Sequence, residues 1–216
     1  TYARAATRGD GERGDDVTAQ VRTIPSVPLA LAGAPPERLA VRGEVVMPRD
    51  AFREHNRERV ERGDDPFANP RNAAAGTLRH LDPAVVADRP LDCYVYDVLD
   101  ASDPPDSQRA ALDRLREWGL HVTDRVEVVD GVAGAIDYRD HLLAARADLD
   151  YEIDGTVIKI DDRAAREELG ATSRAVRWAF AYKFPPRASV TRVTDIGVQV
   201  GRTGRRTPVA LLEPVD

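Results

Sequence analysis

YEIDGTVIKIDDRAAREELGATSRAVRWAFAYKF, residues 151–184, reads as a strand, a short helix and a second strand, and it holds both lysines of the chain. YEIDGTVIKI at 151–160 reads as the first strand, and the helix after it ends at Gly170. VRWAFAYKF at 176–184 alternates strictly. Val176, Trp178, Phe180, Tyr182 and Phe184 fall on one face; Arg177, Ala179, Ala181 and Lys183 fall on the other. Lys159 and Lys183 therefore sit on different strands, each with its charged head expected away from that strand's apolar side chains. Their scarcity matters. Of 31 Lys and Arg residues, 29 are arginine. Arginine is a planar, permanently charged fork, whereas lysine is a compact point charge with a tunable pKa. Where arginine has replaced nearly every lysine, the two that persist are the strongest candidates for chemistry.

Upstream, LDCYVYDVL at 91–99 and LAVRGEVVM at 39–47 read as further strands. In the latter, Leu39, Val41, Val45 and Met47 share one face, and Arg42, Glu44 and Val46 share the other. Gly43 marks a place where backbone can approach a ligand closely. Asp50 is expected to cap a helix ending at Gly63. Asn69 and Pro70 open a second, alanine-rich helix. A third, with Ala111, Leu112, Leu115 and Trp118 on one side, stops at Gly119. A fourth covers about 132–147, with Ile136, Leu142 and Leu143 apolar. Near the start, Ala-Thr-Arg-Gly-Asp-Gly at 6–11 is a glycine-rich turn. Downstream, Pro185-Pro186 breaks the chain, and a domain boundary is expected there. Beyond it, two strand-like runs flank Gly201-Arg202-Thr203-Gly204 as a hairpin, the opening of a β domain whose remainder lies outside these residues. The expected division is 1–185 and 186–216. The fold class is α+β: antiparallel sheets with flanking helices.

With 216 residues, 42% hydrophobic and 31% charged, the chain is a globular protein and not a disordered tail. No apolar run approaches the roughly 20 residues of a membrane span. No charged-then-apolar leader opens it, and Cys93 is the single cysteine. A reducing cytoplasm is therefore the default location, and no multi-cysteine zinc site is available. Four histidines at 55, 80, 121 and 141 lack metal-ligand spacing, so no metal ligand is assigned. Twenty-five aspartates against 12 glutamates suggest a salt-adapted or GC-biased proteome. The net charge of −6 does not exclude a local basic face.

Lys159, Lys183, Arg8, Arg71, Arg79 and Arg146, gathered around Glu44, would suit a polyphosphate ligand with a divalent metal. Each has a plainer reading. An arginine is by default a solvated surface residue, a mid-strand glutamate a surface charge, and Tyr94 and Tyr96 core aromatics. Cys93 reads as a small buried hydrophobe.

ATRGDGERGDDVT, VRGEVVMP, FANPRNAAAGTLRHLDP, YEIDGTVIKI, AYKFP and VQVGRTGRRTPVALLEPV occur in this order along the chain. Together they resemble the NAD-dependent DNA ligases of the bacterial type. The resemblance implies a nucleotidyltransferase-fold adenylation domain, then the first strands of an OB-fold barrel. It implies NAD and Mg2+ as cofactors and nicked double-stranded DNA as partner, in replication and repair, for a monomer without membrane association. By the same resemblance, Glu44 contacts the AMP ribose, and Lys159 and Lys183 contact the α-phosphate. Arg8 belongs to the NAD site and Tyr96 stacks near the adenine. Arg71, Arg79 and Arg146 serve ligation and nucleic-acid contact, and Asp154 of the Ile-Asp-Gly motif serves site architecture or metal. The family's nucleophile is a lysine in a Lys-x-Asp-Gly motif upstream of the Thr-Arg-Gly-Asp-Gly turn. Neither lysine here occupies that place, so this chain alone is not expected to adenylate itself. Two rivals remain open at this stage: another covalent nucleotidyltransferase, such as an ATP-dependent ligase or a capping enzyme, and a nucleotide- or DNA-binding paralogue without the nucleophile.

Overall fold

The computed structural model describes residues 1–11, 13–172, 175–186 and 189–215, so Glu12 of the glycine-rich turn lies outside the described residues. The chain divides into two compact units, Thr1–Lys183 and Phe184–Asp216. The first is mixed α and β. In order it contains α1 (Thr18–Val21), β1 (Leu39–Val46), α2 (Arg49–Glu61), α3 (Pro70–Leu78), α4 (Pro83–Ala87), β2 (Asp92–Ala101) and α5 (Gln108–Glu117). There follow α6 (Gly131–Ala144), a 3-10 turn (Ala145–Asp148), β3 (Gly155–Lys159), α7 (Arg163–Leu169) and β4 (Ala179–Lys183).

Two antiparallel pairs organise this unit, β1 with β2 and β3 with β4, and the two pairs share no strand. On one side of β1, Met47, Ala73, Ala74, Val86, Leu91 and Ile24 form a buried cluster. Ala73 and Ala74 are nearly inaccessible, and alanine's small side chain lets the α3 backbone approach the strand closely. Beneath β2, Leu112, Leu115 and Trp118 of α5 pack with Val95 and Val122. This is the apolar face expected from the sequence, and Trp118 forms the C-cap before Gly119. The Asn69 side chain accepts from the Asn72 N–H at 2.8 Å, with Pro70 opening α3 as expected.

Several expectations need correction. Asp50 does not cap α2: Pro48 occupies the N-cap position without a side-chain hydrogen bond, and Asp50 lies in the first turn, where its charge suits the helix N-terminus. The strand expected at 151–160 is only β3, because the preceding residues form no ladder. Likewise the strand expected at 176–184 is only β4. Its alternation is kept, but Phe180 is 58% exposed, since a two-stranded sheet buries little of its own surface. In α6, Ala135 and Leu142 are buried and Ile136 is exposed, and the helix gives way to the 3-10 turn after Ala144.

The second unit is a hairpin of β5 (Val193–Val200) and β6 (Arg206–Leu212), turning through Gly201–Gly204 as the sequence suggested.

Candidate functional site

Register on the β3–β4 pair sets the two lysines. Gly155 faces Lys183, Val157 faces Ala181 and Lys159 faces Ala179. Residues two and four apart share a face. Lys159 and Lys183 therefore project from the same face at opposite ends, with four residue steps, about 13 Å, between their positions along the strand. Val157 lies between them on that face, so Lys159 is not wholly separated from its strand's apolar residues. Gly155 is required here: a Cβ would lie 2.5 Å from the Tyr182 carbonyl oxygen and 2.7 Å from the Lys183 Cα.

At the Lys183 end, Nζ meets Asp154 Oδ2 at 2.6 Å, and both side chains are largely exposed. The bonded ammonium holds the Asp154 carboxyl below its ordinary range, and the Arg71 charge lowers it further. Arg71 Nη2 in turn lies 3.5 Å from Glu44 Oε1. Lys183 with Asp154 and Arg71 with Glu44 thus form two ion pairs, and the Arg71 charge reaches Asp154. The helix α3 makes this possible, because Arg71 is carried at its N-terminal end, directly beside β1. Gly43 corrects an expectation. A Cβ there would lie 2.8 Å from the Tyr94 carbonyl oxygen and 3.3 Å from Cys93 Sγ, so the approaching group is the partner strand and not a ligand.

At the Lys159 end the ammonium is enclosed. Its side chain is 17% exposed, with Asp97 Oδ2 at 3.7 Å and 18% exposed. Nζ also donates to the Tyr96 carbonyl at 3.4 Å and lies 5.4 Å from the Tyr96 ring centroid. Burial pushes the Lys159 amine pKa down. The Asp97 charge opposes this, and the Arg166 and Arg42 charges add to it.

Asp97 is the functional candidate that sequence reading missed, and the backbone explains why. Consecutive strand residues should point to opposite faces. In β2, however, Asp97 faces Arg42 and Val95 faces Gly43, so Tyr96 is an extra residue, a β-bulge. The bulge lets Tyr96 and Asp97 both approach Lys159. A second irregularity separates Val98 from Asp100. Tyr96 is 36% exposed, which corrects its reading as a core aromatic. Its hydroxyl pKa is raised first by burial, then by the Glu44 charge, with Arg42 and Arg8 opposing. Arg8, exposed on the glycine-rich turn, is thus within electrostatic reach of Tyr96.

Tyr94 belongs to a different cluster, its ring 4.3 Å from that of His121 and 5.1 Å from that of Tyr151. Cys93 packs against the core, and burial raises its thiol to about 11.

The other sequence-derived candidates are less gathered. Arg79 caps the C-terminal end of α3 and is exposed, eight residues or about 12 Å along the helix from Arg71. Arg146 lies in the 3-10 turn, half-buried, its carbonyl accepting from Arg49 Nη2 at 3.1 Å. Glu44, Arg71, Asp154 and Lys183 therefore make one group, Lys159 and Tyr96 a second with Asp97, and Glu44 is close enough to Tyr96 for its charge to act there.

A family model described as NAD-dependent DNA ligase adenylation domain matches residues 1–187. The chain is 72% identical over 215 residues to a DNA ligase of Haloferax volcanii, with all of this chain and 31% of that protein covered. It is 68% identical to a DNA ligase of Haloquadratum walsbyi, covering all of this chain and 29% of that protein. Against a DNA ligase of Nitrosococcus oceani it is 50% identical, covering 98% of this chain and 32% of that protein. The chain spans about a third of the length of these relatives.

Proposed function

The chain belongs to the NAD-dependent DNA ligase adenylation domain family, and on that premise we propose that it is the nucleotide-transfer part of an enzyme that seals single-strand nicks in duplex DNA with NAD as adenylyl donor. The observation that carries the reading is the shared face of Lys159 and Lys183, with the Lys183–Asp154 pair at one end and the Arg71–Glu44 pair within electrostatic reach of Asp154. Two ammonium groups on one face suit the α-phosphate of a nucleotide, whose transfer depends mainly on positioning and charge neutralisation.

In the proposed reaction a lysine of the intact ligase attacks the α-phosphorus of NAD. The bond to nicotinamide mononucleotide breaks and a lysyl-AMP bond forms. AMP then passes to the 5′-phosphate at the nick, and the 3′-hydroxyl displaces it to join the strand. Lys159 and Lys183 hold phosphate oxygens, and their charge favours a neutral, nucleophilic attacking amine. Glu44 contacts the ribose, Tyr96 offers its ring to the adenine, and Arg8 contributes to the NAD site. Arg71, Arg79 and Arg146 meet the nucleic acid. Asp154 orients Lys183. Among the described residues no group of three or more His, Cys, Asp or Glu is assembled to hold a metal. Magnesium would be carried largely by phosphates and water, with Glu44 or Asp154 supplying hard oxygens, since this ion seldom uses an all-protein cage. When bound, it would neutralise phosphate charge.

The proposed architecture is a nucleotidyltransferase fold over 1–185, followed from 186 by the first strands of an OB-fold barrel, of which β5 and β6 supply a hairpin. The proposed partner is nicked duplex DNA, bound by a cytoplasmic monomer. Among the described residues no helix is long and apolar enough to cross a membrane.

The test is intact-protein mass spectrometry after incubation with magnesium and either NAD or ATP. The intact ligase should gain one adenylyl group with NAD and none with ATP. The 216-residue chain should gain none with either, because Lys159 and Lys183 are its only lysines and both are assigned to phosphate oxygens. Adenylation of the intact ligase by ATP would favour the rival nucleotidyltransferase. No adenylation by either donor would favour the binding paralogue.

A further inference from the structure

Gln108, the first residue of α5, is held between both strand pairs. Its Nε2 donates to the Tyr96 carbonyl at 2.9 Å, the same oxygen that accepts from Lys159 Nζ. Its Oε1 accepts from Arg166 Nη1 at 2.9 Å. Arg166 also donates through Nε to the carbonyl of Ile160, the residue after Lys159, and its guanidinium lies 4.6 Å from the Trp178 ring centroid. Backbone bonds close the same junction. Gln108 N donates to the Asp161 carbonyl and Arg163 N to the Asp106 carbonyl, each at 2.9 Å. The cap of α5 is supplied by Ser107, whose Oγ accepts from Ala110 N at 3.0 Å, so the Gln108 amide is not needed to start the helix.

The β1–β2 and β3–β4 pairs share no strand, and the backbone bonds of the junction, with the isolated antiparallel bridge of Ser107 to Asp162, join the segments that follow β2 and β3. Within that frame, side chains set the Lys159 ammonium against Tyr96. An amide is suited to this, offering donor and acceptor in one rigid plane. We infer that Gln108 and Arg166 are positioning residues, a clasp that sets the Lys159 ammonium against Tyr96 and Asp97 and so fixes where it meets the transferring phosphate. This rests on the role proposed above for Lys159. Asp97 and Asp161 also face the Arg166 guanidinium and hold its charge in the junction.

The test uses the intact ligase carrying Gln108→Met, which keeps length and removes both hydrogen bonds. Single-turnover adenylation by NAD should slow about tenfold, with KM for NAD within about twofold of the parent. In a Lys159→Arg background the same substitution should change the rate by less than about twofold, because coupled residues are non-additive. Gln108→Asn, too short to reach both partners, should reproduce the slowing if the Met variant does not fold. An independent readout is the titration of Lys159 by NMR after 13C-methylation, assigned by its loss in Lys159→Arg. Freed from the clasp, the ammonium should deprotonate at higher pH than in the parent. Parent-rate adenylation by Gln108→Met, or equal slowing in both backgrounds, would overturn the inference. If Lys159→Arg itself adenylates at the parent rate, the role of Lys159 fails instead, and an unchanged Lys159 titration in Gln108→Met would then sink the clasp on its own.

Discussion

The two ends of the β3–β4 pair carry the same residue type in opposite surroundings. Lys183 is 61% exposed and bonded tightly to Asp154, while Lys159 is 17% exposed, farther from Asp97, and backed by a tyrosine. An exposed ammonium keeps its hydration and is positioned chiefly by its partner. A half-buried one has lost water and is held by everything around it, so its position is precise and its charge is costly. Equal contributions to phosphate binding would therefore carry unequal consequences for folding.

The largest effect is expected at the buried end. Lys159→Met in the intact ligase should reduce self-adenylation about 100-fold, equivalent to about 2.7 kcal/mol of transition-state stabilisation. Its effect on stability is the balance of two opposing changes: a charge that burial disfavours is removed, and Asp97 loses one of the cations facing it while keeping Arg166, so the change at neutral pH should stay within about 1 kcal/mol. Adenylation by mass spectrometry and unfolding in urea check the two effects separately. A stability loss of several kcal/mol would mean that the enclosed Lys159 charge favours folding, against the cost that its burial implies.

At the exposed end, Lys183→Arg should slow nick sealing at least tenfold, about 1.4 kcal/mol, with little change in unfolding midpoint. The guanidinium keeps the charge and can still pair with Asp154, but it is larger and planar and cannot replace a compact ammonium beside a phosphate. Sealing at the parent rate would show that only the charge matters there.

Much of this contrast was legible in the sequence, and one part was not. Alternation in Ala179–Lys183 put Lys183 opposite the aromatic residues, and the scarcity of lysine singled out both candidates. The apolar side of α5 and the Asn69 cap of α3 follow from local chemistry and were readable for that reason. Asp97 was not readable, because the bulge at Tyr96 breaks the period on which face assignment depends. Gln108 was not readable either: its role arises from a junction between segments more than 50 residues apart, which no local pattern records. Phe180 failed in the other direction. Its period is right, but period alone does not say whether anything covers the face.

The exposed end also carries the proposed contact with nucleic acid. Charge reversal of Arg71 and Arg79 together should weaken binding of nicked duplex several-fold and flatten its salt dependence by about two counterions' worth of slope. Arg71→Glu will in addition oppose Glu44, so Arg79→Glu alone is the cleaner control. Affinity and salt slope both unchanged in the double variant would remove this face from the DNA contact.

The smallest effect is expected from the Lys183–Asp154 pair itself. Both partners are exposed, so solvent screens the attraction, and Asp154→Asn should cost less than about 1 kcal/mol of stability at neutral pH. Its sign with pH is definite. The native Asp154 carboxyl titrates below its ordinary 3.8, chiefly because Lys183 donates to it. The native state therefore binds fewer protons than the unfolded chain in the window below 3.8. The pair's contribution is fully present above that value and is lost as pH falls through the lower native one. The difference in unfolding free energy between parent and Asp154→Asn should hence shrink towards zero on acidification and stay constant from about pH 6 to 8. At the other end of the β3–β4 pair the sign is reversed. Burial lowers the Lys159 pKa from 10.5, so its enclosed charge weighs against folding until the pH exceeds the native value, and stability gains as pH rises from there towards 10.5. Urea unfolding of the parent, Asp154→Asn and Lys159→Met across both windows would separate the ends. A parent-minus-variant difference for Asp154→Asn that grows on acidification would mean that the 2.6 Å contact with Lys183 does not govern the carboxyl in solution.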